Sequence, residues 1–239
     1  MKLKSNLYKA LEGINITIFS LILATLVTTV LSPFILSQRT IYRYLLTNSS
    51  LTICSSITFI ILPYLLEKKR NGSVLEGFSR ERFCFRALLG TLLGLPIAFS
   101  WILSFIVQYQ TFPTLVNIGS IAGFEVKLTG SFISTYTMFE LINQGMVSIS
   151  EEILWRGVLQ VKLQKGIGRM KGYLFTTLLF ALAHFFSTEY TVVQALMEAL
   201  LGGFIVGYLY IKTKTLTAPI FAHFTGNIIE RIATLFLKF

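Results

Sequence analysis

Residues 87–108 read ALLGTLLGLPIAFSWILSFIVQ, a stretch with no charged side chain. A helix of about 20 predominantly apolar residues crosses a hydrocarbon layer roughly 30 Å thick, and lipid offers its backbone no hydrogen-bond partner. The same pattern recurs at 14–36 and 45–66 before this stretch, and at 131–161, 172–188, 190–211 and 215–237 after it. These runs predict an all-α, polytopic transmembrane helix bundle of about seven helices. Run 172–188 is short and run 131–161 is long and dotted with polar residues, so the same pattern admits six to eight. The chain is 54% hydrophobic and 13% charged, with a mean hydropathy of +0.69. A soluble domain carries about a quarter charged residues. Residues 1–130 are expected to supply helices 1–3 and their connecting loops, and 131–239 helices 4–7, within one integrated membrane domain.

A formal charge of +10 on a soluble protein would point to nucleic acid. Here the positive charges alternate by loop, which is a topology signal, and no nucleic-acid partner is expected. With the N-terminus cytoplasmic, the inner side collects Lys2, Lys4 and Lys9, then Lys68, Lys69, Arg70, Arg80, Arg82 and Arg86. Lys162, Lys165, Arg169, Lys171, Lys212 and Lys214 join them, while Arg39, Arg43, Lys127 and Lys238 fall outside. The basic start resembles that of a signal peptide, but its apolar stretch is long enough to span and is expected to be a retained first helix of a cell-membrane protein. The stretch 67–86 is basic enough to hold a short surface helix against anionic lipid headgroups. Cys54 and Cys84 lie too far apart on this map to be presumed paired. Neither a low-complexity tract nor a repeat is evident.

Ionisable groups inside membrane spans are costly and therefore mark candidate sites. In Glu151-Glu152-Ile153-Leu154-Trp155-Arg156, helical spacing puts Glu152 and Arg156 on one face as an ion pair and turns Glu151 away, free for other work. Taken alone, this motif reads equally well as a structural charge network. Phe180 and His184 share a face four residues apart, as do His223 and Asn227, and Gly226 leaves room for close helix approach. The chain has two histidines, and both fall in these segments. Counted at 1.5 Å per residue from the nearest cytoplasmic lysine, Glu151, His184 and His223 lie roughly 16, 20 and 14 Å deep, which is one level of the bilayer. Glu198, roughly 21 Å deep, either joins the site or pairs with a neighbouring helix, and the same alternatives hold for Glu230 and Arg231. Glu140 lies about 16 Å further toward the outside and reads as a cavity or packing residue.

Together these segments resemble the signature of the CAAX-protease and bacteriocin-processing family (CPBP, or Abi) of intramembrane endopeptidases. That signature is a glutamate pair with an arginine four after the second, then phenylalanine with histidine four on, then histidine with asparagine four on. Here it reads Glu151, Glu152 and Arg156, then Phe180 and His184, then His223 and Asn227. The resemblance implies that Glu151 is the general base and that His184 helps hold the attacking water. It further implies that His223 and Asn227 stabilise the oxyanion, and that Glu152 and Arg156 position the first glutamate. Such roles suit peptide hydrolysis, which needs a base for water and donors aimed at the developing oxyanion.

The implied substrate is a membrane-associated peptide or lipid-modified protein, cut near the cytoplasmic side with membrane lipid as the surrounding partner. Family members are often labelled metalloproteases. Zinc is the alternative cofactor reading, with Glu151, His184 and His223 as its ligands. The His-Glu-x-x-His motif is absent, however, and a glutamate mechanism that requires no cofactor is expected. Two other functions compete. A non-catalytic bacteriocin-immunity or envelope-scaffold protein would not need the complete motif set. A small transporter would be expected to show an inverted repeat or paired interrupted helices, and neither is seen.

Overall fold

The computed structural model describes residues 2–36, 39–68, 78, 81–111, 120–121, 124–185 and 200–237. In chain order these form α1 (Lys2–Leu36), α2 (Ile41–Lys68), α3 (Phe83–Thr111), β1 (Ser120–Ile121), β2 (Phe124–Glu125) and α4 (Gly130–Glu152). A π-helical segment, Ile153–Gln160, carries α4 without a break into α5 (Val161–Ile167). Then come α6 (Arg169–Phe185), α7 (Leu201–Thr213) and α8 (Thr217–Leu237). Counted as one rod, α4, the π segment and α5 make this an all-α bundle of seven helices among the described residues. The antiparallel β1–β2 strip, with Ser120 opposite Glu125, is an addition that no sequence signal announced.

Local chemistry sets the ends of these elements. Thr129 caps α4, its side-chain oxygen accepting from the Phe132 amide at 3.2 Å. Gly168, at φ +98°, makes the corner between α5 and α6 in backbone space that glycine enters without penalty. Within the apolar helices, hydroxyls satisfy themselves on their own backbone. Thr17 donates to the Gly13 carbonyl at 2.9 Å and Ser20 to the Ile16 carbonyl at 2.8 Å.

Three described helices contain stretches long and apolar enough to cross a membrane: Ser5–Leu31 in α1, Ile41–Leu66 in α2 and Phe83–Val107 in α3. They carry large apolar side chains on the outside of the bundle, among them Phe19, Ile22, Leu26 and Val30 on α1 and Leu88, Leu92 and Phe99 on α3. That much contiguous exposed apolar surface fits lipid as the solvent. The expected spans 131–161, 172–188 and 215–237 fall on α4 with the π segment, on α6 and on α8. Run 190–211 is described only from residue 200, and Glu198 lies outside the described residues, as does most of the surface helix expected over 67–86. Hydropathy alone does not single out α4, because its polar side chains turn inward: Glu140, Asn143, Gln144, Ser148, Ser150 and Glu152 are all buried.

The tightest pairing is α3 along α8. A Cβ placed on Gly94 would meet Thr225 Cβ at 2.6 Å and the Ala222 carbonyl oxygen at 2.7 Å. Small residues at this spacing let two backbones approach closely where lipid supplies no hydrophobic drive between helices. Gly226 makes the close approach expected of it, against Ile97 and Trp101. Cys54 and Cys84 are free thiols on the exterior.

Candidate active site

Four helical elements meet around Phe180. The π segment begins directly after Glu151 and Glu152 and carries Trp155 and Arg156, α6 brings Phe180 and His184, α7 brings Gly203, and α8 brings His223. π-helical turns widen the hydrogen-bond ladder by one residue and occur disproportionately at functional sites. Here the segment contains the arginine of the sequence motif.

Glu152 and Arg156 pair as the spacing predicts, Nη1 donating to Oε1 at 2.9 Å, with Glu152 fully buried and Arg156 nearly so. The same Oε1 faces His223 Nδ1 at 2.8 Å. A carboxylate only accepts, so Nδ1 carries the hydrogen and Nε2 is left for other work. The contacts therefore direct Glu152 and Arg156 to His223 rather than to Glu151. Arg156 also lies over the Phe180 ring, 4.6 Å from its centroid, and Nη2 donates to the Gly203 carbonyl at 3.3 Å. A side chain on Gly203 would press on Thr177 and Phe180, so the glycine lets α7 pack closely against α6 here.

Glu151 faces His184, with Oε2 to Nε2 at 3.9 Å. His184 Nδ1 sits 2.9 Å from the Phe180 carbonyl, which can only accept, so this ring too carries its hydrogen on Nδ1 and turns Nε2 toward the carboxylate. Among the described residues Glu151 Oε2 has no hydrogen-bond partner. The two pairs differ in access. Side chains of Glu151 and His184 are 20% and 21% exposed, whereas those of Glu152 and Arg156 are 0% and 1%. Phe180 joins the pairs, its ring centroid 4.3 Å from that of His184 and 6.3 Å from that of His223.

Asn227 does not share the contacts of His223. Its Nδ2 donates to Gln144 Oε1 at 2.8 Å, and Gln144 Nε2 donates in turn to Glu140 Oε2 at 2.9 Å. Because Glu140 only accepts, the order of donors fixes how both amides face, and one Asn227 N–H stays unused by this relay. Glu140 is thus a hydrogen-bonding member of a chain that ends at a candidate residue, and Gln144 is a contributor that the sequence reading missed. The available signal was the polar stripe at helical spacing: Glu140, Gln144, Ser148, Glu152. Glu230 pairs with its neighbour Arg231 at 3.6 Å.

Beside the buried pair lies a narrow cavity of about 10 Å³, room for about one water, lined by Ile97, Trp101, Glu152, Arg156, Phe180, Gly202, Val206 and His223. It adjoins His223 rather than Glu151. As for a metal, among the described residues no three of His, Cys, Asp and Glu come together in a way that would hold an ion, and Glu151, His184 and His223 form no such group.

The fold and the site define a helical bundle suited to a membrane, with buried and half-buried carboxylate–imidazole pairs at its centre. Residues 133–229 match the family model described as Type II CAAX prenyl endopeptidase Rce1-like. The match covers less than half of the chain, from within α4 to within α8, and includes all six candidate residues, while α1–α3 lie outside it. It supports the CAAX-protease superfamily and, with the helical architecture, an intramembrane hydrolase of that general type. No curated protein and no solved structure matches the chain.

Proposed function

We propose that the protein is an intramembrane endopeptidase that hydrolyses a peptide bond in a membrane-associated peptide or lipid-modified protein, with Glu151 as the base. The observation that carries this reading is the contrast between the two carboxylates. Glu152 is sealed by Arg156 and His223, whereas the Glu151 side chain is part-exposed, has no hydrogen bond on its buried Oε2 among the described residues and faces Nε2 of His184. With that ring neutral, the Glu151 carboxylate and Nε2 of His184 are two acceptors for the attacking water, which donates one hydrogen to each. Glu151 takes a proton from that water as its oxygen bonds to the scissile carbonyl carbon. The resulting oxyanion accepts hydrogen bonds from the spare Asn227 N–H and from Nε2–H of His223 when that ring is protonated. Glu151 then returns the proton to the leaving nitrogen, the C–N bond breaks, and the carboxylate is restored.

The orientation that suits this reading has the N-terminus in the cytoplasm, seven membrane-crossing helices and cleavage near the inner leaflet. The substrate class follows the family description, so a prenylated CAAX reporter peptide is the first to try, beside an unprenylated copy and a bacteriocin-type leader peptide. In proteoliposomes, wild type should cleave at least one of these and Glu151→Gln none, with both proteins equally folded and inserted. Normal turnover by Glu151→Gln would falsify the assignment. Activity that vanished in chelator and returned with zinc would overturn the metal-free mechanism.

A further inference from the structure

The relay that ends at Asn227 joins two amides to one carboxylate, and only the carboxylate has a direction of its own. Half a turn about its last bond exchanges the oxygen and nitrogen of an amide with almost no change of shape, so Gln144 and Asn227 fit their places either way round. Glu140 is different, because an ionised carboxylate accepts and never donates. It lies one turn before Gln144 on the buried face of α4 and accepts from Gln144 Nε2 at 2.9 Å. That contact turns Gln144 Oε1 toward α8, where it accepts from Asn227 Nδ2 at 2.8 Å. In this direction Asn227 keeps its second N–H to offer. In the opposite direction its nitrogen and oxygen change places, and a lone pair of Oδ1 stands where that N–H was. A developing oxyanion would then meet an acceptor. Glu140 itself is eleven residues from Glu151, about 16 Å along the helix, too far to touch the reacting atoms. An ionisable group inside a membrane helix is costly, and no step of the hydrolysis calls on this one directly.

We infer that Glu140 is a positioning residue for the hydrolysis: as the fixed acceptor of the relay, it makes Asn227 present an N–H rather than its carbonyl to the oxyanion. It acts through Gln144 and touches neither the substrate nor the attacking water. Both residues lie within the segment matched by the family model, yet outside the three motifs that carry the resemblance. The inference rests on the peptidase reading, with Asn227 as an oxyanion donor, and the following measurements separate the two.

Glu140→Met keeps the length of the side chain and leaves only a thioether, a weak acceptor. With the relay unchanged, Gln144 would then bury an unpaired NH2; with the relay reversed, it donates that group to Asn227 Oδ1 and leaves a carbonyl unpaired, the lesser loss. Glu140→Met should therefore lower kcat about tenfold on the cleaved reporter at unchanged KM, the signature of a contact made only in the transition state. Adding Gln144→Glu places a carboxylate of the same length directly opposite Asn227 Nδ2, and should restore kcat to within about twofold of wild type. In an Asn227→Ala background, Glu140→Met should cost nothing further. An unchanged kcat in Glu140→Met, a loss that Gln144→Glu does not restore, or an equal loss without Asn227 overturns the inference.

A second measurement needs no substrate and uses Glu140→Gln, which keeps the shape of the side chain and removes its charge. In protein whose asparagine side-chain nitrogens are isotopically labelled, the Asn227 amide is the magnetic-resonance signal that Asn227→Ala lacks. In wild type, one of its two hydrogens should resonate downfield, bonded to Gln144. In Glu140→Gln that hydrogen should move upfield, because a neutral relay runs in either direction. A signal that stays where it was overturns the inference. If wild type cleaves no peptide, the peptidase reading fails, and this signal still decides whether Glu140 sets the direction in which Asn227 faces.

Discussion

At the scale of single residues, the buried trio of Glu152, Arg156 and His223 has an energetic consequence separate from catalysis. Breaking a buried ion pair from one side leaves an uncompensated charge and costs about 3–5 kcal/mol, whereas replacing both partners with neutral groups of similar shape costs far less. Arg156→Met should therefore lower the thermal unfolding temperature in detergent sharply, and Arg156→Met with Glu152→Gln should recover most of the loss. If the double variant unfolded no later than the single one, the charge of Glu152 would not be what the arginine balances. The relay to Asn227 makes a different prediction. Gln144→Met keeps the volume and removes both hydrogen bonds, so Asn227 loses the contact that holds its amide. Removing an oxyanion donor outright costs about 10²–10³ in kcat, and a donor that is present but unanchored should cost roughly tenfold, at unchanged KM. In an Asn227→Ala background the same change should do almost nothing. These roles were unequally legible in the sequence. Spacing within one helix revealed the Glu152–Arg156 pair, because four-residue neighbours meet whatever surrounds them. The partner of that pair was not legible, because His223 comes from another helix 71 residues away and reaches Glu152 rather than Glu151. Gln144 escaped because an uncharged amide in a membrane helix stands out less than a carboxylate.

Among the elements, the helices that carry chemistry differ from those that face lipid. α1, α2 and α3 were readable from hydropathy because most of their surface meets an apolar solvent. α4, with the π segment, and α8 fall on runs read as spans at 131–161 and 215–237, but the polar side chains they turn toward each other make them less apolar than α1–α3. The π segment left no signal in apolar periodicity, and α4, the π segment and α5 form one rod where the sequence suggested one long span ending near 161. How tightly the rods pack is encoded in glycines. A methyl group on Gly94 would lie 2.6 Å from Thr225 Cβ and 2.7 Å from a backbone oxygen of α8, and neither atom can move without parting the helices. Overpacking of this kind costs about 1–3 kcal/mol, so Gly94→Ala should lower the unfolding temperature in detergent. Gly145, on α4, has nothing within 4 Å of its absent Cβ, and Gly145→Ala should be neutral or stabilising, since alanine is the better helix former by about 1 kcal/mol. If both substitutions had the same effect, close approach of α3 and α8 would not be what Gly94 provides.

For the whole molecule, the question is what surrounds the bundle, and the two cysteines can answer it because both are free and exposed on the exterior. Exposure on the bundle means contact with whatever solvent lies there. Cys54 is 13 residues into the apolar stretch that starts at Ile41, about 20 Å along the helix axis, which puts it near the middle of a hydrocarbon layer roughly 30 Å thick. Cys84 is next to the first residue of the stretch Phe83–Val107, at the end flanked by Arg82 and Arg86, where headgroups and water begin. A thiol reacts with maleimide as its thiolate, which forms in water and not in lipid. In single-cysteine variants, Cys84→Ser leaves Cys54, which should resist a water-soluble maleimide in intact and opened vesicles alike and react only after detergent or denaturant exposes it. Cys54→Ser leaves Cys84, which should react in membranes, and only when the reagent reaches the cytoplasmic face if the N-terminus is inside. Rapid labelling of Cys54 in intact membranes would place α2 against water and undo the bundle's assignment to the bilayer. Labelling of Cys84 from the outer face would instead keep the bundle in the membrane and invert it, moving the site of cleavage to the opposite leaflet.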